Sequence, residues 1–169
     1  MKGLTRHIRL PRPAMIGPTF AQLRRGPGDP THRQVGDMYL RATRTPAGPS
    51  LIKIVPHGAD VAARAWGAGA EWSLDQLPRL LGAADDPRGF RPRLEHPPLV
   101  AACQRYGHYR IGRSEAVFEA LAPACIEQVV TGKEAFRAWR LLVREFGEPA
   151  PGPALEPGSA AYGMCLPPE

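Results

Sequence analysis

The spacing of apolar residues changes near residue 96, and this change limits the folds open to the chain. Before it, short segments alternate between apolar and polar residues, which is the period of a strand with one buried face. After it, apolar residues recur every three or four positions, as on one side of a helix. The 20 prolines and 18 glycines favour many turns and short elements. The sequence therefore predicts an α+β fold: a small antiparallel sheet domain in residues 1–95, helices in 96–153 and a loose Pro/Gly-rich tail in 154–169.

The first half contains three segments that predict strands. They cover 37–44, 51–55 and 61–66. Residues 6–10 also alternate and predict a short strand, and the pattern leaves open whether this strand joins the same sheet. One or two helices should pack on this sheet. The first is predicted over 18–23, and the second over 73–81, where Ser73 and Gln76 form a capping-box pattern.

The second half contains three segments that predict helices. The first follows Pro97 and ends at Gly107, and the second runs from Ser114 to Val130 with a kink at Pro123. The third begins at Thr131, where a Thr-x-x-Glu pattern predicts a capping box, and ends at Gly147.

Charge is distributed unevenly along the chain, whose net charge is +6. Residues 1–95 hold fifteen Lys and Arg against eight Asp and Glu, a net of +7, whereas residues 96–169 have a net of −1. A basic half fits a polyanionic partner such as DNA. An Arg-rich composition that reflects codon bias explains the same surplus equally well, so both interpretations stay open.

Cysteine and histidine usage gives no sign of a metal or cofactor. Cys103, Cys125 and Cys165 form no C-x-x-C pair and are predicted to be reduced and mostly buried, as in a cytosolic protein. The five histidines, at 7, 32, 57, 96 and 108, lack the spacing of metal ligands. Because no apolar run approaches the roughly 20 residues of a membrane span, we expect a cytoplasmic protein with no membrane partner.

The corner between the last two predicted helices is the candidate binding site. Helix N-termini bind phosphates through backbone N–H groups, and Lys133 lies at this one. Gln128 and Val129 could enter a minor groove as a wedge. A basic stripe of Lys133, Arg137, Arg140 and Arg144 could follow a phosphate backbone. From spacing alone, an ordinary helix corner with Val129 in the core and a solvated basic face is the commoner explanation.

Several segments together resemble the helix-hairpin-helix DNA glycosylases, most closely the 3-methyladenine (alkylbase) branch. In the second half they are Arg110–Arg113, Phe118–Leu121 and Ile126–Ala135. In the first half they are Gly28–Thr31, Thr43–Pro46, Trp66–Trp72 and Leu81–Pro87. The resemblance covers most of residues 18–153.

The resemblance implies a sheet domain similar to the TATA-binding protein, followed by the opening helices of the glycosylase domain. It implies an enzyme of base-excision repair, working in a bacterial cytoplasm on the nucleoid, that flips an alkylated base out of double-stranded DNA and hydrolyses its N-glycosidic bond. The family's wedge falls on Val129. The residues implied in DNA binding are Gln128, Val129, Thr131, Gly132, Lys133 and Arg137.

The family's catalytic parts are expected beyond residue 169. These are a hairpin of the type L-P-G-[IV]-G-P and a catalytic Asp, and no Asp of this chain can be assigned that role. We therefore expect a truncated portion, inactive alone and monomeric if intact. Two alternatives remain: a non-catalytic DNA-binding module, or a basic α+β domain with a protein partner. In the last case helix 133–146 would expose its stripe of Phe136, Trp139 and Phe146.

Overall fold

A single antiparallel sheet of five strands organises the structure. The computed structural model describes residues 2–13, 15–93, 95–107 and 109–169; His108, one of the five histidines considered above, lies outside them. The strands are β1 (Leu4–Arg9), β2 (His32–Val35), β3 (Met38–Thr45), β4 (Gly48–His57) and β5 (Asp60–Trp66). They lie in the order β1-β5-β4-β3-β2. The predicted α+β class is confirmed.

The sheet is larger than predicted, because β1 joins it and β2 was missed. β1 pairs with β5 from Leu4 opposite Ala65 to Arg9 opposite Asp60. β2 is only four residues long and pairs with β3 at the sheet edge. Its residues Arg33 and Gln34 are polar, so no apolar alternation marks it in the sequence.

Two helices cover one face of the sheet. α1 (Ile16–Leu23) and α2 (Ala70–Leu80) bury a core with the inward residues of the central strands, among them Ile52, Ile54 and Ala63. α2 begins at Ala70, so the capping box predicted at Ser73 is wrong. Ser73 is buried and its hydroxyl donates to Ser50 Oγ on β4, 2.7 Å away. The contact of Ser73 with the sheet decides the role of this residue, and its spacing from Gln76 does not.

The opposite face of the sheet is partly covered by the C-terminal residues. Leu40, Ala42, Leu51 and Trp66 pack there against residues Ala150, Ala154, Ala161, Met164 and Leu166, all nearly inaccessible. The prediction of a loose tail over 154–169 is therefore wrong. Gly152, in the 3₁₀ helix Gly152–Leu155, allows this contact: its φ is +67°, and a Cβ there would lie 2.6 Å from Trp66 Cγ.

Three further helices lie beyond residue 96: α3 (Pro97–Arg105), α4 (Val117–Ile126) and α5 (Gly132–Phe146). α4 is shorter than predicted at both ends, so Ser114 is not its N-cap. Glu115 has a positive φ of 54°, which a helical residue cannot adopt, and the chain turns after Ile126. Gly147 ends α5 as predicted. The proposed boundary between residues 95 and 96 stays a prediction.

The cysteines are less buried than predicted: Cys125 is exposed, and Cys103 and Cys165 are half-buried. Within the described ranges no group of three or more His, Cys, Asp or Glu side chains could hold a metal ion. No helix of the described chain is both long and apolar enough to cross a bilayer.

Candidate nucleic-acid interface

The corner between α4 and α5 is a tight turn closed by a complete capping box. The Thr131 hydroxyl accepts from the Glu134 N–H, while Glu134 Oε2 accepts from the Thr131 N–H at 3.0 Å and from its hydroxyl at 2.8 Å. These hydrogen bonds, the side-chain one first, lower the pKa of Glu134. The predicted capping box is confirmed, and it fixes the direction in which α5 leaves the corner.

Val129 stands at the apex of this corner and is 92% exposed, more than any other large apolar residue described. Its neighbour Val130 is 47% exposed. The alternative in which Val129 belongs to the core is therefore wrong. Gln128 is exposed, but its amide nitrogen donates to the Ala124 carbonyl of α4, 3.1 Å away, so this side chain lies back along the helix.

The first turn of α5 carries the remaining predicted contacts. Thr131, Gly132 and Lys133 are exposed, and so is Arg137 one turn further on. A Cβ added to Gly132 would meet nothing within 4 Å, which leaves the helix N-terminus open to an approaching phosphate. The structure thus places Val129 beside a positive helix end and two cations.

The predicted basic stripe is only partly open to solvent. Lys133, Arg137 and Arg144 are exposed, whereas Arg140 is half-buried. Its side chain turns to the loop after α1, where its Cδ lies 3.0 Å from the position of a Cβ on Gly28. The stripe therefore offers three exposed cations.

Three polar contacts attach α4 and α5 to the sheet and to the loop after α1. Glu119 of α4 binds β3: it accepts from Arg41 at 2.9 Å, from the Arg44 N–H at 3.0 Å and from the Thr43 hydroxyl. The Arg41 and Glu119 side chains are only 3% and 13% exposed. Glu127, at the end of α4, lies 3.0 Å from Arg25 Nε. Because α4 otherwise buries only Pro123, these ion pairs decide where it lies.

The third contact is a buried hydrogen-bond network around Asp29. Its carboxylate accepts from the Thr31 hydroxyl at 2.7 Å, the Arg25 N–H at 2.7 Å and the Trp139 indole N–H at 3.3 Å. Burial would raise the pKa of Asp29, but the bond and charge of His32 and the N–H and O–H donors hold it well below the usual range. Burial lowers the pKa of His32 despite the nearby carboxylate.

These contacts bury Trp139, so the expectation that helix 133–146 exposes all three of its aromatic residues is wrong. Trp139 is 3% exposed, Phe136 is half-buried, and Phe146 alone is open at 65%. Sequence reasoning missed Arg41 and Glu119, because nothing in their spacing links residues so far apart. Asp29 drew attention only through the resemblance.

Phe118, Leu121 and Cys125 follow one another at helical spacing along one face of α4, and this face is exposed. Phe118 is 45% and Leu121 58% exposed, and Cys125 is exposed as well. Val117, at the first turn, is 78% exposed. The described chain does not cover this face.

Comparison with known proteins supports the fold. No protein-family model and no curated protein sequence matches the chain. A solved structure, a 3-methyladenine DNA glycosylase from Archaeoglobus fulgidus, superposes with a TM-score of 0.68 at 19% identity, over 95% of this chain and 54% of that one. The chain thus spans about half the length of this structure. The predicted glycosylase-like fold of the N-terminal part is confirmed.

Proposed function

We propose that the chain is the N-terminal part of a base-excision-repair DNA glycosylase, and that it contacts duplex DNA through the corner at Gln128–Lys133. The fold shared with the Archaeoglobus fulgidus enzyme supports the first half of this proposal. Removal of an alkylated base belongs to the whole protein, and no residue of this chain receives a catalytic role. For the described residues, the proposed role is binding of duplex DNA.

The observation that carries the proposal is the exposure of Val129 at the apex of a corner closed by a capping box. Val129 is 92% exposed, and complete burial of an apolar side chain of this kind stabilises a complex by about 1.5–3 kcal/mol. The space left in a duplex by a displaced base can provide that burial. Valine is β-branched and stiff about χ1, so its burial costs little rotamer freedom.

Lys133 and Arg137 supply the phosphate contacts of the same surface. Both are exposed on the first turns of α5, and neither lies within 4.0 Å of a carboxylate of the described residues. Each phosphate neutralised adds about one unit to the slope of log affinity against log salt. The wedge and the cations therefore make separable contributions.

The test uses fluorescein-labelled duplexes, one intact and one with an abasic-site analogue, whose binding is followed by anisotropy. The wild-type chain should prefer the duplex with the abasic analogue, and Val129→Ala should lose about 3–10-fold of affinity for that duplex alone. Val117→Ala is the matched control, since this valine is 78% exposed at the other end of α4. Equal affinity of wild type and Val129→Ala for the abasic duplex would contradict the wedge.

A further inference from the structure

The surplus positive charge of the first half does not lie at the corner. Most of its arginines are paired with carboxylates, for example Arg9 with Asp60, Arg79 with Glu115 and Arg88 with Asp86. Lys53 and Arg64 are among the cations of this half that have no carboxylate oxygen of the described residues within 4.0 Å, and they are the two that face each other across neighbouring strands. Both lie on the sheet face that the C-terminal residues only partly cover.

Lys53 and Arg64 lie directly opposite each other on β4 and β5. Directly paired residues of antiparallel strands have Cβ atoms about 5 Å apart, and two like charges there repel. The pairing of the two strands does not itself require cations here, since any polar side chains would serve at solvent-facing positions. A bound anion would turn the repulsion into joint attraction.

The Arg64 guanidinium is held in place by its neighbours. It lies over the Trp66 ring, 5.3 Å from the centroid, in a cation–π contact. Trp66 is itself fixed, since it is 7% exposed and packs against the 3₁₀ helix. The backbone at Gly3 also comes close, as a Cβ there would lie 2.9 Å from Arg64 Nε. The arginine is therefore positioned before any ligand arrives.

Lys53, Arg64 and Trp66 line a groove of about 320 Å³ between the sheet and residues 153–161. This volume accommodates a phosphate together with part of a sugar. Glu156 also lines the groove and is its acidic residue, without forming an ion pair with either cation. Ser159 is already engaged, since its hydroxyl donates to the Pro153 carbonyl.

We propose that this groove binds a phosphate group of a nucleic-acid backbone through Lys53 and Arg64. The net charge of +6 brings a polyanion to the chain, and the groove adds a preorganised contact. A membrane surface fits less well, because the aromatic residue of the groove is buried and cannot insert into lipid.

The groove is independent of the corner. Arg41, which attaches α4, belongs to the face that carries Ile52, whereas Lys53 and Arg64 belong to the opposite face. The variants of the groove and of the corner therefore change different residues on different elements.

The test compares variants of equal net charge in anisotropy titrations with an intact labelled duplex at several salt concentrations. Lys53→Gln/Arg64→Gln should bind about tenfold more weakly, with a salt slope reduced by about two. The control, Arg79→Gln/Arg88→Gln, removes two exposed paired arginines elsewhere and should change neither quantity as much. Glu156→Gln should tighten binding. Thermal unfolding verifies that each variant is folded.

A local readout identifies the ligand. In a proton–nitrogen correlation spectrum, duplex should shift the Trp66 indole signal of the wild type, and the double Gln variant should lose this shift. Three results would overturn the proposal: equal binding by the double variant and its control, a Trp66 shift with inorganic phosphate but none with duplex, or a Trp66 shift with phosphatidylserine vesicles but none with duplex. The Val129→Ala result on the abasic duplex is unaffected by any of them, so the two proposals fail separately.

Discussion

At the residue scale, Asp29 connects the sheet domain to the helix that carries the candidate interface. Its carboxylate is fully buried and accepts three hydrogen bonds. The donors are the Arg25 N–H in the loop after α1, the Thr31 hydroxyl just before β2 and the Trp139 indole N–H of α5. A buried charge is tolerated only when such donors compensate for the lost hydration. The orientation of α5, and with it the position of Lys133 and Arg137, depends on this compensation.

His32 makes stability depend on pH in a defined direction. Burial lowers the pKa of His32 below its ordinary 6.5, so the folded chain binds fewer protons than the unfolded chain as the pH falls. Stability is therefore complete above about pH 6.5 and decreases below it, by up to about 2 kcal/mol at pH 5. The lowered pKa of Asp29 adds a further decrease only below its ordinary value of 3.8.

Urea unfolding at pH 7.5 and at pH 5 tests this expectation. His32→Gln should flatten the decrease between the two pH values, while His57→Gln, an exposed histidine at the end of β4, should keep it. An unchanged decrease in the His32 variant would show that another group titrates.

The role of a residue could be predicted from the sequence when its partner lies only a few positions away along the chain. Thr131 and Glu134 bond to each other three positions apart, so the sequence contains the whole capping box. Ser73 has the same local pattern, but a partner on β4 takes its hydroxyl. The residue types at the corner allowed a wedge at Val129, but only the resemblance favoured it over a core position, since the exposure of Val129 depends on how α4 is attached.

At the element scale, α4 is held by charge more than by apolar packing. Its one buried residue is Pro123, while Glu119 forms a nearly buried ion pair with Arg41. Breaking such a pair by removing one partner is far more costly than removing the charge from both.

Arg41→Met should therefore lower the free energy of unfolding by about 3–5 kcal/mol, because it leaves the Glu119 carboxylate buried without a cation. Arg41→Met/Glu119→Gln should recover at least half of that loss, since the amide oxygen still accepts from Thr43 and Arg44. Urea denaturation measures both changes. A double variant less stable than Arg41→Met would disprove this description of the contact.

Element bounds were predicted well where pattern and packing agree, as in α5, β3 and β5, whereas β4 extends beyond the predicted 51–55 at both ends. They were wrong where contacts distant in sequence decide. β2 forms because β3 has a free edge with which it can pair. The tail packs on the sheet because α1 and α2 leave the second apolar face of the sheet uncovered. Neither neighbour is visible from the local sequence.

At the scale of the whole molecule, exposed apolar residues are concentrated in one region. Of the fifteen exposed large apolar residues in the described part of the chain, eleven lie between Phe90 and Phe146. A concentration of this kind marks an interaction surface or a liability to aggregate. The outer face of α4 lies within this stretch, and a protein partner for it stays a prediction.

Size-exclusion chromatography over a range of concentrations should show self-association of the purified chain. Leu121→Glu places a charge in the centre of the exposed α4 face and should shift the chain towards the monomer. Leu4→Glu is the control, since Leu4 is 50% exposed on an edge strand. A wild-type chain that stays monomeric at every concentration would show that the exposed face of α4 does not cause self-association.

The entry of Val129 into duplex DNA is tested most directly by the fluorescence of 2-aminopurine placed beside an abasic-site analogue. This base brightens when it loses its stacking neighbour. The wild-type chain and Val117→Ala should raise the fluorescence at saturation, whereas Val129→Ala, at concentrations where anisotropy shows it bound, should not. An equal rise with Val129→Ala, or no rise with bound wild type, would contradict the wedge.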